Sequence, residues 1–102
     1  MNNQVKSILN NRQAILDSDY NYLDKMRMAY ALELYTQKEV IIDKLNELGS
    51  YKNDPQWQTI YGKEFNILNS KAILLSVELR DILNSNPITA HRILNATGIS
   101  IE

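Results

Sequence analysis

Side chains that could do chemistry are few in this 102-residue sequence, which has a single histidine and no cysteine. Without cysteine, thiol catalysis, thiolate metal ligands and disulfides are all excluded. His91 has no nearby cluster of carboxylates to complete a metal site, since such sites are built from several ligands. We therefore expect His91 to be a surface or capping residue of a short helix.

Asp17 and Asp19 are two carboxylates of the kind that share general acid–base work. A helix start explains them equally well: Asp17 or Ser18 can cap the helix, and Asp19 then lies in its first turn, where the helix dipole favours negative charge. The sequence also has no P-loop, Gly-rich dinucleotide turn, nucleophile elbow or HExxH motif. We predict a protein that is not an enzyme and needs no metal or cofactor.

Positively charged residues are the remaining candidates, because they can bind the phosphates of nucleic acid. The 11 Lys and Arg residues are offset by 12 Asp and Glu, so the formal net charge is −1 and no general positive field is expected. Lys6 and Arg12 lie together on a short amphipathic segment, and Arg92 follows the single histidine. These three residues are the candidates for contact with DNA or a partner.

Four helices must position these residues, because no segment alternates strictly as a strand does. We predict one all-α domain, 1–102, with helices at about 3–16, 18–48, 55–83 and 87–95. Gly49 is expected to end the second helix in a left-handed conformation. Proline is tolerated in the first turn of a helix, so two dipeptides are expected to begin the third and fourth: Asp54-Pro55 and Asn86-Pro87.

The two long helices are expected to form an antiparallel hairpin some 45 Å long, with the turn closed by Trp57. Its seam has the spacing of about 3.5 residues that is typical of packed helices. The seam residues are Tyr20, Leu23, Tyr30, Leu34, Ile41, Leu45 and Leu48, then Tyr61, Phe65, Leu68, Ala72, Leu75, Leu79 and Ile82. Arg27 falls on this seam, where Glu64, Glu78 or a neighbouring subunit could pair with it. Equally, its stem could pack on the seam while its charged head reaches water. Tyrosines at seam positions are expected to pack rather than to stack on bases.

Apolar residues also lie beyond the seam on both long helices. On the second they are Met28, Leu32, Tyr35 and Ile42, and on the third Ile60, Ile67, Ile73, Leu74 and Val77. A chain of this size would struggle to bury both faces alone, so we predict side-by-side assembly into a homo-oligomer. The interface candidates are Met28, Leu32, Tyr35, Ile42, Ile67 and Leu74.

No apolar run approaches the ~18 residues of a membrane span. The N-terminal residues also lack a long apolar stretch followed by a cleavage site. A soluble cytoplasmic protein without membrane contact is therefore expected.

The order of these segments resembles the small subunit of tailed-phage terminase, a family whose core is a long helical hairpin followed by a short C-terminal helix. The similarity runs from a capped start at Leu16 to Leu94, through YLDKMRMAYALELY, KLNELGSYKNDP, EFNILNSKAILLSVELRDIL and NPITAHRIL. The last segment is similar to the family's closing segment, in which a leucine- or proline-led turn is followed by a small residue, Arg and Leu. Here it reads Asn-Pro-Ile-Thr-Ala-His-Arg where the family has a Gly-Leu-Thr-Pro-type turn.

The resemblance implies a ring-forming viral DNA-packaging factor of a bacteriophage, acting in the host cytoplasm. Such a subunit recognises phage double-stranded DNA and regulates the ATPase and nuclease of the terminase large subunit. Two other functions fit the same sequence. One is a helical-bundle adaptor or structural protein that binds a partner helix without DNA affinity. The other is a small phage- or plasmid-encoded inhibitor that mimics a partner's surface.

Overall fold

The protein is all-α, as predicted. A computed structural model describes residues 3–101, with side chains from residue 10 onward. Within these residues the chain forms four helices and no strand: α1 (Asn3–Asp17), α2 (Tyr22–Gly49), α3 (Trp57–Ser85) and α4 (Ile88–Thr97). The described part measures 54 × 32 × 16 Å.

α2 and α3 share the largest contact between helices. The Trp57 indole N–H donates to the Leu48 carbonyl at 2.7 Å, which joins the start of α3 to the end of α2. The Tyr30 hydroxyl donates to the Glu78 carboxylate, which joins the first half of α2 to the second half of α3. The two helices therefore lie alongside each other.

The core is concentrated where the short helices meet the long ones. Three of its large side chains are fully buried: Ile15 from α1, Met28 from α2 and Ile93 from α4. The remaining buried members of this cluster are Ala31, Leu32, Leu34, Leu79, Ala90 and Ile101. All four helices contribute to one apolar interior.

Two of the predicted oligomer-interface residues belong to this interior. Met28 is 1% exposed and Leu32 is 3% exposed, because α1 and α4 pack on the face of α2 that the predicted seam leaves free. Their assignment to a surface between subunits is therefore corrected. Tyr35 packs against the same core and is half-buried. Ile42 is also half-buried.

The predicted seam agrees with the structure along α3 but not at the start of α2. Ala72 and Leu79 are buried, whereas Leu23 is exposed and Tyr30 is about half exposed. The first turns of α2 contact α1 through Lys25, which donates to the Leu16 carbonyl, and α4 through Asp24, which pairs with Arg92, and the buried residue of this part of α2 is Met28.

α2 begins later than predicted. Asn21 is its cap, and the side-chain oxygen accepts the Asp24 N–H at 2.9 Å. Ser18, one of the expected caps, instead donates through its hydroxyl to the Ile15 carbonyl at 2.6 Å and so belongs to the end of α1. The expectation that Asp17 or Ser18 starts α2 was wrong.

The two proline dipeptides lie before their helices rather than in the first turn. Asp54 accepts the Gln56 N–H through its side chain at 2.8 Å and the Trp57 N–H through its carbonyl at 3.0 Å, which forms a turn. Asn86 is extended, with φ −141° and ψ 81°, as expected for a residue before proline, and this ends α3.

The left-handed glycine is Gly98 rather than Gly49. Gly98 has φ 76° and caps α4, and its N–H donates to the Leu94 carbonyl at 2.8 Å. Gly49 is the last residue of α2, and the chain turns away through Ser50 in a right-handed conformation. A residue with a Cβ would be strained at position 98.

Candidate interaction surface

Arg92 lies in an ion pair within the chain. Its Nη1 is 2.6 Å from Asp24 Oδ2, and its Cζ is 5.1 Å from the centre of the Tyr20 ring. The side chains of Arg92 and Asp24 are 26% and 17% exposed. Arg92 therefore holds α4 against the start of α2, and its guanidinium is already engaged.

The same carboxylate binds a second guanidinium. Arg27 Nη1 is 3.3 Å from Asp24 Oδ1, so each oxygen of Asp24 faces a different arginine. Arg27 thus pairs with Asp24 and not with Glu64 or Glu78, the two possible partners within the chain that the sequence analysis named. Asp24 is three residues before Arg27, a spacing that places the two side chains on one side of the helix. That spacing was a usable signal, whereas nothing in the sequence connects Asp24 to Arg92.

Arg12 is exposed on α1 and pairs with α2. Its Nη2 lies 3.4 Å from Glu33 Oε1, and about half of each side chain remains accessible. Lys6 lies within α1, but its side chain is outside the described ones, so its proximity to Arg12 stays a prediction. His91 is exposed on α4. Residues 3–101 contain no group of three or more His, Asp or Glu arranged to hold a metal ion.

The outward face of α3 is apolar and accessible. Ile60 is 53% exposed, Ile67 48% and Leu74 69%. These three residues recur every seventh position and so form one line along the helix, which we call the outer α3 stripe. Ile67 and Leu74 are the two predicted interface residues that the structure leaves at the surface.

Charged residues border the outer α3 stripe at the same interval. Glu64, Lys71 and Glu78 follow each other every seven residues on the flank that faces α2, and all three are exposed. Glu78 accepts the Tyr30 hydroxyl, but the ion pairs of residues 10–101 include neither Glu64 nor Lys71. Two opposite charges are thus available beside an apolar line.

The flank of Lys71 continues into an apolar groove between α2 and α3. Val40, Ile41 and Leu75 line it together with Lys71, and its volume is about 450 Å³. The apolar surface therefore extends beyond the outer α3 stripe into this groove, and Lys71 lies between the stripe and the groove.

A second groove is bordered by cations from both long helices. Lys38 of α2 and Arg80 of α3 line it together with Leu79, Leu83 and Ile101, and its volume is about 460 Å³. Sequence spacing could not reveal this groove, because its two cations come from different helices.

Tyr30 and Glu78 form a polar contact at the edge of the α2–α3 packing. The hydrogen bond to Glu78, together with burial and the negative charges of Glu78 and Glu33, raises the pKa of Tyr30 above its ordinary 10.0. Tyr30 is therefore a stable hydrogen-bond donor at neutral pH.

Aromatic residues close the turn between α2 and α3. Trp57 packs edge-on against Phe65, with ring centres 5.4 Å apart, and Tyr51 stacks on Tyr61 at 5.6 Å. Lys52 Nζ lies 4.9 Å from the centre of the Phe65 ring, a cation–π contact. The rings of Trp57 and Tyr51 are therefore engaged in packing at the turn, and the geometry supports this role rather than stacking on nucleic-acid bases.

The chain matches no protein-family model, no curated protein and no solved structure. Its resemblance to terminase small subunits therefore rests on the segments quoted from the sequence. Among residues 3–101, none of the helices has both the length and the apolar character needed to cross a bilayer.

Proposed function

We propose that this chain is a non-enzymatic DNA-packaging factor of the terminase small-subunit kind, which acts as a homo-oligomer on phage double-stranded DNA and on the terminase large subunit. The observation that carries the proposal is the exposed outer α3 stripe on a long helix. Contiguous exposed apolar surface of this kind marks an interaction site. In a ring of hairpins packed side by side, neighbouring subunits would cover it.

The DNA contact in this proposal is made by α1 rather than α4. Arg12 is about half exposed, and its pair with Glu33 is a surface pair of the kind that contributes about 0–1 kcal/mol. Exchanging Glu33 for a DNA phosphate is therefore inexpensive. Arg92 is bound to a less exposed carboxylate, so its part is to hold α4 in position.

The test is solution mass followed by DNA affinity. We expect light scattering to give one closed species of several subunits that binds double-stranded DNA less tightly as salt is raised. Arg12→Glu should weaken that binding at every salt concentration, whereas Lys63→Glu, a matched change on the exposed surface of α3, should weaken it less. A monomer without salt-dependent DNA affinity would contradict the proposal.

The second candidate function is a helical adaptor that binds a partner helix and not DNA. Both DNA-contact candidates with described side chains, Arg12 and Arg92, are occupied by carboxylates of the chain itself, which favours this reading. The outer α3 stripe would then receive the apolar face of the partner. The same measurements separate the two functions, since an adaptor would be a monomer or dimer and would not bind DNA.

A further inference from the structure

We infer that the groove to which Lys38 and Arg80 contribute is a docking site for a partner protein, and that the partner inserts an extended acidic segment in which carboxylates alternate with aliphatic side chains. The groove shares no residue with the outer α3 stripe, so the inference goes beyond the proposed function and does not depend on it. We call it the Lys38–Arg80 groove, and the two cations line it together with Ser76, Leu79, Leu83 and Asn84.

The α3 side of the Lys38–Arg80 groove is a single line of residues. Ser76, Arg80 and Asn84 follow each other every fourth residue, and Leu79 and Leu83 lie between them at the same interval. Residues at this spacing share one face of a helix. The rise from Ser76 to Asn84 is about 12 Å, which is the length of about four residues of extended peptide. A groove of this length suits a peptide segment better than a single small ion.

The charges of the groove are cations that lack a carboxylate partner. Lys38 and Arg80 are both absent from the ion pairs of residues 10–101. Lys38 Nζ instead lies 5.6 Å from the centre of the neutral Tyr35 ring. No Asp or Glu of the described residues lines this groove, whereas Asp17 and Asp19 line the groove at the end of α1. The complementary ligand is therefore an anion.

Uncharged hydrogen-bond donors accompany the two cations. The Ser76 hydroxyl and the Asn84 amide lie about one helical turn before and after Arg80. Neither side chain is hydrogen-bonded to residues 10–101. Arginine can bind a carboxylate through two parallel N–H groups, and such charged hydrogen bonds are about twice as strong as neutral ones. Carboxylates of a bound segment therefore meet donors along the whole α3 side of the groove.

The apolar part of the groove favours a peptide carboxylate over a DNA phosphate. Leu83 is half-buried and Pro87 is exposed, and both line the groove beside the core residues Leu79 and Ile101. A sugar–phosphate backbone has no aliphatic side chain to cover this surface. Adjacent side chains of an extended peptide alternate in direction, so aliphatic residues can pack on Leu83 and Pro87 while the carboxylates between them approach the two cations. Because part of the lining belongs to the core, the groove is formed before the ligand binds, which lowers the cost of binding.

Three labelled peptides test the charge and the apolar contact separately. The probe is a fluorescein-labelled peptide of about six residues that alternates leucine with glutamate, long enough to extend past both ends of the groove. One control replaces every glutamate by glutamine, and the other replaces every leucine by serine. Fluorescence anisotropy should show saturable binding of the leucine–glutamate peptide, and each control should bind at least about tenfold less tightly. A leucine–glutamate peptide that does not bind, or a control that binds equally well, would overturn the inference.

Substitutions in the chain locate the binding. Lys38→Gln/Arg80→Gln removes both cations of the groove and should weaken binding of the leucine–glutamate peptide about tenfold or more. Lys63→Gln/Lys71→Gln removes the same charge from exposed positions of α3 outside the groove and should change the affinity less than about twofold. Helical melts verify that both variants fold. Equal losses in the two variants would reduce the effect to net charge and would contradict the site.

The same variants distinguish other occupants. If Lys38→Gln/Arg80→Gln weakened the binding of double-stranded DNA or the self-association of the chain, but not the binding of the peptide, the groove would belong to DNA or to a second copy and the inference would fail.

The outcomes also separate this inference from the packaging proposal. Peptide binding that is lost in Lys38→Gln/Arg80→Gln, in a chain that neither assembles nor binds DNA, would support the inference and remove the packaging function. A closed assembly that binds DNA but not the peptide would support the packaging function and remove the inference.

Discussion

Asp24 joins the start of α2 to α4, which is also anchored in the core by Ala90 and Ile93. One of its oxygens binds Arg27, the other binds Arg92, and its N–H donates to the Asn21 cap. The cap of α2, through the Asp24 N–H, and the ion pair with α4, through the Asp24 carboxylate, therefore share a single residue. Arg92 gains further support from the Tyr20 ring beneath it.

Arg92→Glu is therefore expected to destabilise the fold, whereas the sequence alone, which makes Arg92 a contact for DNA or a partner, predicts an intact fold with weakened binding. The substitution places a second carboxylate beside Asp24 and removes the contact with Tyr20, which should lower the free energy of unfolding by about 1–3 kcal/mol. Urea denaturation measures the change. Arg80→Glu is the control, because Arg80 is exposed and outside the ion pairs of residues 10–101, and it should change stability by no more than about 0.5 kcal/mol. Equal losses in both variants would contradict the role of the Asp24 pair.

The pKa of Tyr30 should be higher than that of a free tyrosine, chiefly because its hydroxyl donates a hydrogen bond to the Glu78 carboxylate. The raised pKa means that the folded state holds this proton more tightly, so its contribution to stability is fully present below pH 10.0 and is lost as pH rises through the folded pKa. Glu78→Gln removes the negative charge and should lower the pKa of Tyr30. The ultraviolet titration difference between each chain and its Tyr30→Phe variant isolates this group. A Tyr30 titration unaffected by Glu78→Gln would show that the carboxylate is not the cause.

At the scale of elements, α3 shows how position on one helix decides the effect of a substitution. Leu79→Ala removes a side chain that is 4% exposed and should lower the free energy of unfolding by about 2–4 kcal/mol. Leu74→Ala makes the same change at a residue that is 69% exposed and should lower it by less than about 0.5 kcal/mol. Thermal or urea melts at low protein concentration, which disfavours the proposed self-association, compare the two variants. A larger loss of unfolding free energy in Leu74→Ala than in Leu79→Ala would contradict the assignment of Leu79 to the buried face of α3.

The buried face of α3 was predictable because its apolar residues recur at the regular spacing of a helix seam and the helix packs mainly against α2. The start of α2 was not, since Asp17, Ser18, Asp19 and Asn21 are all residues that can cap a helix. Tertiary contacts decide among them: Ser18 bonds back into α1, and Lys25 Nζ donates to the Leu16 carbonyl at 2.7 Å. Such contacts cannot be predicted from the periodic pattern of apolar residues alone.

The same limit applies to the buried face of α2. Sequence spacing predicts one continuous stripe, but the helix changes its neighbours along its length, and Met28 and Leu32 are buried by α1 and α4. The exposed face of α3 was predictable because no short helix covers it. The pairing of Arg92 with Asp24 was not, since residues so distant in sequence share no pattern.

At the scale of the whole molecule, buried side chains are distributed unevenly. The core cluster joins all four helices near α1 and α4, while the opposite end contains the α2–α3 turn with its aromatic contacts and exposed residues 51–56. The end with the larger core is expected to be the more stable, because burial of apolar surface supplies most of the free energy of folding.

Trp57, the sole tryptophan of the sequence, lies at the turn end and not in the core. Fluorescence excited selectively at the tryptophan therefore reports first on the indole, its hydrogen bond to the Leu48 carbonyl and its packing on Phe65. Far-ultraviolet circular dichroism reports all four helices at once. The two signals together distinguish opening of the turn from loss of the core without any added label.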